Sequence, residues 1–284
     1  MTVPVASKPQ SHVRIHPTGS LDGFKSTMLT PVIGNEFVKG TANIVDDILR
    51  GPNADQRIRD LAVMTAERGV VFFRAQNSLT NNLQKELITK MGKLTVRPPD
   101  HRLHTHPIYM SDREFSDRDA DISTIDSATL KKVWKVNSGT YLKRDTLWAS
   151  GYEMYDRISK PYRTFLETLT ATHVADGFHH ASVAGRFDLY EKLRVSPLNV
   201  GVDLGAEHPI VRTNPITGWK SIYAVGSIWD NHSTFHCATF DFDGFGDRTG
   251  NRAVGVGEVP YFDPSSKSQR EDLGIEDTLP PFHW

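Results

Sequence analysis

The sequence predicts a mainly β fold with flanking helices, and three stretches carry the β part of this prediction. From His236 to Phe242, apolar and polar residues alternate, which is the pattern of a half-buried strand. Gly69-Val-Val-Phe-Phe-Arg74 is a short apolar run, as expected of a strand that is buried on both faces. Residues 208–225 predict two strands that are joined by a turn at Pro215-Ile-Thr-Gly218.

The flanking helices are predicted from apolar spacing and from residues that begin or end a helix. Residues 54–68 place apolar side chains at helical spacing, and Gly69 can end that helix. Thr80 is a candidate N-cap for a second helix that runs to about Met91, with Gly92 as its stop. Further helices are expected at 162–169 and, as one short turn, at 270–273.

Length and composition predict one domain behind an extended N-terminal arm. The chain has 284 residues, of which 38% are hydrophobic, so it can bury a sizeable core. Residues 1–30 mix Pro, Gly, Ser and His without a period and are expected to be extended or disordered, which leaves 31–284 as a single domain. A formal net charge of −1 gives no reason to expect nucleic acid or an anionic membrane as a partner.

The cysteine content and the absence of long apolar runs favour a cytoplasmic protein. Cys237 is the only cysteine, so the chain can form neither an internal disulfide nor a zinc site built from cysteines. No eighteen apolar residues run together, and the first residues lack the apolar core of a secretion signal. We therefore expect no membrane partner and a small-molecule ligand, while a homo-oligomer stays open.

One imidazole and two guanidiniums near the C-terminus carry the most specific chemistry. Arg248 and Arg252 follow His236 by twelve and sixteen residues, across a Gly/Asp-rich turn that predicts a hairpin. Imidazole is a common transition-metal ligand, and a guanidinium can hold a carboxylate through two hydrogen bonds. A metal with a dicarboxylate is therefore one hypothesis; an ordinary sheet histidine beside two solvated arginines is the other.

The second chemically rich stretch is Leu103-His-Thr-His-Pro-Ile-Tyr109. In an extended segment, His104 and His106 lie on one face and could bind a metal as a pair. Packed loop side chains are the alternative. Asp119 and Asp121 are further candidate metal donors, although an acid-rich stretch of this kind is usually a solvated loop.

Both stretches resemble motifs of the taurine dioxygenase family, which uses iron(II) and 2-oxoglutarate. The C-terminal resemblance consists of Ile228-Trp-Asp-Asn, His236, Asp241, Arg248, Arg252, Gly257-Glu and Pro260. Leu103-His-x-His-Pro-x-Tyr109 and Asp145-Thr-Leu-Trp148 are similar to two earlier motifs of the family. The resemblance implies a double-stranded β-helix, or jelly-roll, with helices packed outside.

The resemblance also implies a role for individual residues. It assigns His236 to the iron, Thr146 and Arg248 to 2-oxoglutarate, and His106, Tyr109 and Arg252 to a small anionic substrate such as a sulfonate. It implies no catalytic residue beyond the metal site. Phe178 is either an aromatic substrate contact or a core residue, and the latter is favoured.

Two departures from the family pattern predict that the jelly-roll is incomplete. The family's first two iron ligands form a His-x-Asp motif, but neither His-x-Asp nor His-x-Glu occurs in this sequence, and residues 127–143 stand in its place. Only Gly226-Ser227 separates two motifs between which relatives have a loop, a helix and a strand. Lys143-Arg144 also replaces two glycines that precede the threonine motif in the family.

Two functions follow from these observations. The first is a dioxygenase in which iron(II) and 2-oxoglutarate hydroxylate a small anionic substrate. The second is a catalytically inactive family member that acts only as a binding or scaffold protein, because one histidine supplies too few ligands for iron. An unrelated sheet protein whose motifs arose by chance is a third alternative.

Overall fold

Strands and helices are interspersed along the chain in the computed structural model, which describes residues 13–107, 119, 121–126, 146–174, 176–185, 187–223, 234–238 and 249–276. The described strands are short and belong to small sheets, whereas the longest described helix has 15 residues. The predicted presence of both strands and helices is confirmed, whereas the mainly β, jelly-roll arrangement stays a prediction. Among the described residues, no helix has both the length and the apolar character needed to cross a membrane.

The described strands have three to five residues each. They are β1 (Ser26–Met28), β2 (Asn35–Phe37), β3 (Val71–Phe73), β4 (Ser123–Asp126), β5 (Thr146–Ser150), β6 (Thr170–His173), β7 (Ala206–Pro209), β8 (Val211–Thr213), β9 (Lys220–Ile222), β10 (Thr234–Ala238) and β11 (Thr249–Arg252).

The described helices are α1 (Ala54–Arg68), α2 (Asn81–Lys93), α3 (Gly151–Arg157), α4 (Lys160–Leu166), α5 (Asp176–Gly185) and α6 (Gln269–Leu273), with a π-helix at Ile44–Leu49. The helix α2 ends at Lys93, one residue beyond its predicted stop at Gly92. The helix α4 begins two residues before its predicted start because Pro161 suits the first turn of a helix, where its missing N–H is not needed.

The largest described hydrophobic cluster joins α1 to the N-terminal sheet. In this sheet, β2 pairs with β1 in antiparallel and with β3 in parallel orientation. Ile58 and Leu61 of α1 are buried against Phe37 of β2 and Leu87 of α2, as the predicted apolar spacing requires. Gly69 ends α1 at φ 71°, a left-handed conformation that glycine adopts without steric cost.

Part of the predicted arm contacts the domain. Arg14 forms ion pairs with Glu67 of α1, at 2.7 Å, and with Asp272 of α6. Thr18 and Ser20 donate hydrogen bonds to the carboxylate of Asp60, which is buried. Residues 13–28 therefore connect the start of the described chain to α1 and α6, while the domain boundary at residue 30 stays a prediction.

Four further strand pairs are antiparallel: β5 with β10, β4 with β11, β6 with β7, and β8 with β9. The predicted hairpin between the strand at His236 and the strand at Arg252 is wrong for the described residues, because β10 and β11 take separate partners. Ten residues separate these two strands. A connection of that length does not enforce pairing as a two-residue hairpin turn does. The predicted β8–β9 pair and its turn are confirmed.

Candidate functional site

The site is built where the His-x-His segment lies beside the end of β11. Leu103 and Gly255 form an antiparallel bridge. The backbone N–H of His104 donates to the carbonyl of Val254 at 2.7 Å, and the N–H of Val256 donates to the carbonyl of Arg102 at 2.9 Å. These bonds pair the His-x-His segment with residues that begin two positions after Arg252, although about 150 residues separate the two segments in sequence.

His104 lies near His106 and near the charge of Arg252. Their ring centroids are 6.0 Å apart, at an interplanar angle of 82°. Burial, together with the positive charges of Arg252 and Arg194, lowers the pKa of His104 to about 4. The imidazole of His104 is therefore uncharged near neutral pH, and Arg252 carries the positive charge at this point.

Arg252 has an unused hydrogen-bond donor at this location. Its Nε is buried and has no hydrogen-bond partner within the part of the chain that the structure describes. A buried donor without a partner costs free energy, and an anionic oxygen that accepts from it would remove that cost. Of the three residues predicted to bind substrate, Arg252 lies within electrostatic reach of His104, whose ring is 6.0 Å from that of His106. Tyr109 lies outside the described residues.

Phe178 joins this site through α5. Its ring meets the ring of His106 edge-on, with centroids 5.4 Å apart. It also packs against a small hydrophobic cluster that contains Ala181 and Leu189. Phe178 therefore packs in a cluster, as the favoured alternative predicts, and it also borders His106, while its contact with a substrate stays a prediction.

Sequence motifs gave no indication of the loop that packs against the His-x-His segment. Tyr190 donates its N–H to the carbonyl of Pro107 at 2.9 Å. The hydroxyl of Ser196 lies 3.1 Å from Nε2 of His101, whose Nδ1 lies 2.5 Å from the carbonyl of Gly257. Arg194 and Ser196 are buried, with 4% and 1% of their surface exposed.

Thr146 and His236 lie on neighbouring strands. Thr146 begins β5 and pairs with Ala238, while His236 pairs with Trp148. The residues assigned to 2-oxoglutarate and to iron are thus two register positions apart on one strand pair. Arg248, which was also assigned to 2-oxoglutarate, lies outside the described residues.

A second group of aromatic and cationic side chains lies apart from these motifs. The rings of His173, His208 and Tyr223 lie 5.3 to 5.7 Å from one another. Arg212 stacks over Tyr223 at 5.2 Å and donates to Glu258 at 2.5 Å. This group fixes β6 and β7 against β8 and β9. By contrast, His179 and His180 are exposed, as predicted.

Comparison with known proteins identifies the class. No family model matches the chain. An alpha-ketoglutarate-dependent dioxygenase of Penicillium shearii is 35% identical over 371 residues, covering 93% of this chain and 98% of that protein. An alpha-ketoglutarate-dependent sulfonate dioxygenase of Saccharomyces cerevisiae is 24% identical over 70% of this chain and 48% of its own length.

Among solved structures, a taurine dioxygenase of Burkholderia xenovorans has a similar fold. It superposes with a TM-score of 0.50 at 18% identity, covering 87% of this chain and 93% of that one. These relatives place the chain among the oxidoreductases that depend on alpha-ketoglutarate, which is the same compound as 2-oxoglutarate. The chain belongs to the taurine dioxygenase-like family of alpha-ketoglutarate-dependent dioxygenases, and the predicted resemblance is confirmed.

The residues present do not fit the iron site that this family implies. Such a site needs two histidines and one carboxylate. In the described ranges, no three His, Cys, Asp or Glu side chains are grouped to hold a metal, and no His-x-Asp or His-x-Glu occurs anywhere in the sequence. Asp119, one of the candidate donors, forms an ion pair with Lys85 at 2.9 Å.

Proposed function

We propose that this chain is a family member of the sulfonate type, with a site for a small anionic substrate between the His-x-His segment and Arg252. The observation that carries this proposal is the pairing of residues 102–104 with 254–256. It brings the His-x-His segment beside the end of β11, where the guanidinium of Arg252 has an Nε that lacks a partner among the described residues. The relative named as a sulfonate dioxygenase supports the same substrate class.

Arg252 supplies the charge in this proposal, and the histidines supply orientation. A guanidinium presents planar N–H donors that match the oxygens of a sulfonate or carboxylate. His106 and Tyr109 contact the substrate beside it, and Phe178 borders the apolar part. Hydroxylation with 2-oxoglutarate as co-substrate is the reaction class that the family implies for such a substrate.

Calorimetric titration of the full chain with ethanesulfonate tests the anion site without depending on turnover. Arg252→Gln should weaken binding at least about tenfold, because a charge-assisted hydrogen bond contributes roughly 1.5–3 kcal/mol. Arg157→Gln is the matched control, because it removes the same positive charge from an exposed position on α3; it should leave the affinity for ethanesulfonate unchanged. Equal affinity in the parent and in Arg252→Gln would remove Arg252 from the site.

We further propose that Thr146 and Arg248 bind 2-oxoglutarate. Arg248→Ala should weaken 2-oxoglutarate binding more than Arg248→Lys does, because lysine keeps the charge but loses the two-pronged contact. Calorimetry with 2-oxoglutarate compares both variants with the parent. If the three affinities agree, Arg248 is a solvated charge.

A second candidate function, a catalytically inactive binding protein, is favoured by two observations. His236 is the only residue assigned to iron, since the His-x-Asp motif is absent. The alignment with the Penicillium protein extends over 371 residues, more than the 284 residues of this chain, so that relative contains internal segments without a counterpart here. Both observations fit a family member from which internal segments are missing, and we propose that these segments would lie near residues 127–143 and 226–227.

Anaerobic titration with iron(II) and 2-oxoglutarate distinguishes the two candidates. The dioxygenase should form the coloured chelate of iron(II) and 2-oxoglutarate, whereas the inactive protein should show no visible absorption band. His236→Ala serves as the variant without any assigned iron ligand. A band in the parent that is lost in His236→Ala would exclude the inactive alternative.

A further inference from the structure

A buried arginine that no motif indicated lies next to the proposed anion site. Arg194 has 4% of its surface exposed. Its Nη1 donates to the carbonyls of Tyr190, at 2.9 Å, and Gly201, at 2.7 Å. Because the N–H of Tyr190 is bonded to the carbonyl of Pro107, this guanidinium is held against the end of the His-x-His segment.

The loop around Arg194 is fixed at more than one point. Ser196, two residues further on, is bonded to His101, which lies two residues before that segment. The backbone N–H of Arg194 donates to the carbonyl of Asn199 at 2.7 Å, and the N–H of Gly201 donates to the carbonyl of Glu191 at 2.7 Å. The guanidinium therefore has a defined position relative to the histidines.

The charge of Arg194 is not neutralised within the described residues. No carboxylate of the described ranges forms an ion pair with it, and its known partners are uncharged carbonyl oxygens. Burial lowers the pKa of Arg194. A buried cation without a counter-ion is costly, and an anion that binds beside it offsets that cost.

Arg194 and Arg252 approach His104 from two parts of the chain. The positive charges of both lower the pKa of this imidazole, after the larger effect of burial. The guanidiniums of Arg194 and Arg252 are therefore both within electrostatic reach of His104, whose ring lies 6.0 Å from that of His106. Their mutual repulsion falls when negative charge is placed between them.

We infer that Arg194 is a second cationic residue of the substrate site, and that the site is specific for a sulfonate that also carries a carboxylate. This inference rests on the proposed anion site at His106 and Arg252. Arg252 holds one anionic group, and Arg194 attracts the other. A substrate with a single negative charge satisfies only one of the two guanidiniums.

Two ligands of equal carbon number test the inference on the full chain. Ethanesulfonate carries one negative charge, and sulfoacetate carries a sulfonate and a carboxylate. By calorimetry, the parent should bind sulfoacetate at least about tenfold more tightly, which corresponds to about 1.4 kcal/mol. Arg194→Gln should remove this preference and change ethanesulfonate affinity less than about twofold. Equal affinity of the parent for both ligands would overturn the inference.

Arg194→Lys separates charge from a structural role, because lysine keeps the charge but not the geometry of the two carbonyl contacts. It should retain most of the preference for sulfoacetate, and thermal unfolding checks that both variants fold.

If Arg194→Lys and Arg194→Gln lower both affinities equally, Arg194 only supports the loop. If Arg252→Gln weakens ethanesulfonate but Arg194→Gln affects neither ligand, the proposed anion site stands and the role of Arg194 is wrong. If Arg252→Gln affects neither ligand, the anion site itself is wrong.

Discussion

At the scale of single residues, Asp60 shows how a buried charge connects two segments of the chain. Its carboxylate has 2% of its surface exposed. It accepts hydrogen bonds from the N–H and the hydroxyl of Thr18 and from those of Ser20, at 2.8 to 2.9 Å. Burial alone would raise the pKa of Asp60, but these hydrogen bonds outweigh it, so that the pKa is lowered.

Replacing Asp60 by Asn should lower the free energy of unfolding by about 2–4 kcal/mol, because an amide cannot accept all of these bonds. The lowered pKa means that the charged carboxylate stabilises the fold above its unfolded-state pKa, about 4, and that this stability is lost as the pH falls below it. Urea unfolding at several pH values should therefore show a weaker acid dependence in Asp60→Asn. Asp55→Asn, an exposed change on the same helix, is the control. Equal stability of both variants would contradict this role for Asp60.

The sequence could indicate the residues of the site only where they belong to a motif. His106 and Arg252 were predicted as substrate residues from family patterns, and the structure brings their segments together. Arg194 and Ser196 belong to no such pattern, because their positions depend on how an irregular loop folds against the His-x-His segment. That packing is a tertiary property, and local spacing does not encode it.

At the scale of secondary structure, the short helix α6 depends on its N-terminal cap. The side chain of Ser268 accepts from the N–H of Glu271, and the carboxylate of Glu271 accepts from the N–H of Ser268 at 2.8 Å. This reciprocal capping box satisfies two donors that would otherwise have no intrahelical partner. The same helix holds Asp272, which bonds Arg14 and the indole N–H of Trp219.

Ser268→Ala should lower the free energy of unfolding by about 1 kcal/mol, as the loss of a helix cap does. Thermal unfolding of the full chain measures this effect as a lower midpoint. Ser78→Ala, at an exposed serine before α2, is the matched control and should leave the midpoint unchanged. No difference between the two variants would show that α6 does not need its cap.

His208, in β7 of the strand pair β6–β7, is a histidine whose protonation destabilises the folded state. Burial lowers the pKa of His208, and the nearby His173 and Arg212 lower it further. Its Nδ1 is buried without a partner in the described ranges. Tyr223 lies beside its ring, and Glu258 faces the same group through Arg212.

Because the folded-state pKa of His208 lies below the unfolded value of about 6.5, the unfolded chain takes up protons first as the pH falls. Stability should therefore be lost as the pH decreases from about 6.5 toward the folded-state pKa. His208→Gln should show a shallower loss in urea unfolding over this range, whereas exposed His179→Gln should behave like the parent. Parallel pH profiles for the parent and His208→Gln would exclude this effect.

Strand pairing was less predictable than the strands themselves. The apolar run of β3 and the turn between β8 and β9 were predicted, because both follow from local sequence. The partners of β10 and β11 were not, since β10 pairs with β5 and β11 with β4, each across long sequence separations. Local residues determine whether a segment is extended, whereas the fold determines its neighbour.

At the scale of the whole molecule, the family and the metal ligands disagree. The chain belongs to a family that depends on alpha-ketoglutarate, and its fold is similar to that of a taurine dioxygenase. Its sequence nevertheless lacks the His-x-Asp motif, and the alignment with the Penicillium relative is longer than the chain itself. We propose that the anion site is retained while the iron site is lost.

Succinate release from 2-oxoglutarate tests this account most directly. The chain is incubated in air with excess iron(II), ascorbate, 2-oxoglutarate and sulfoacetate. Two further chains are assayed beside it. One is His236→Ala. The other carries two grafts: a His-x-Asp segment of family length between Lys132 and Asp145, and the missing strand before Ile228. We expect the natural chain to release no more succinate than His236→Ala, because one histidine cannot complete a site of two histidines and a carboxylate. The grafted chain should bind iron and then release succinate. Robust succinate from the natural chain, lost in His236→Ala, would contradict the account and show that other residues supply the iron ligands.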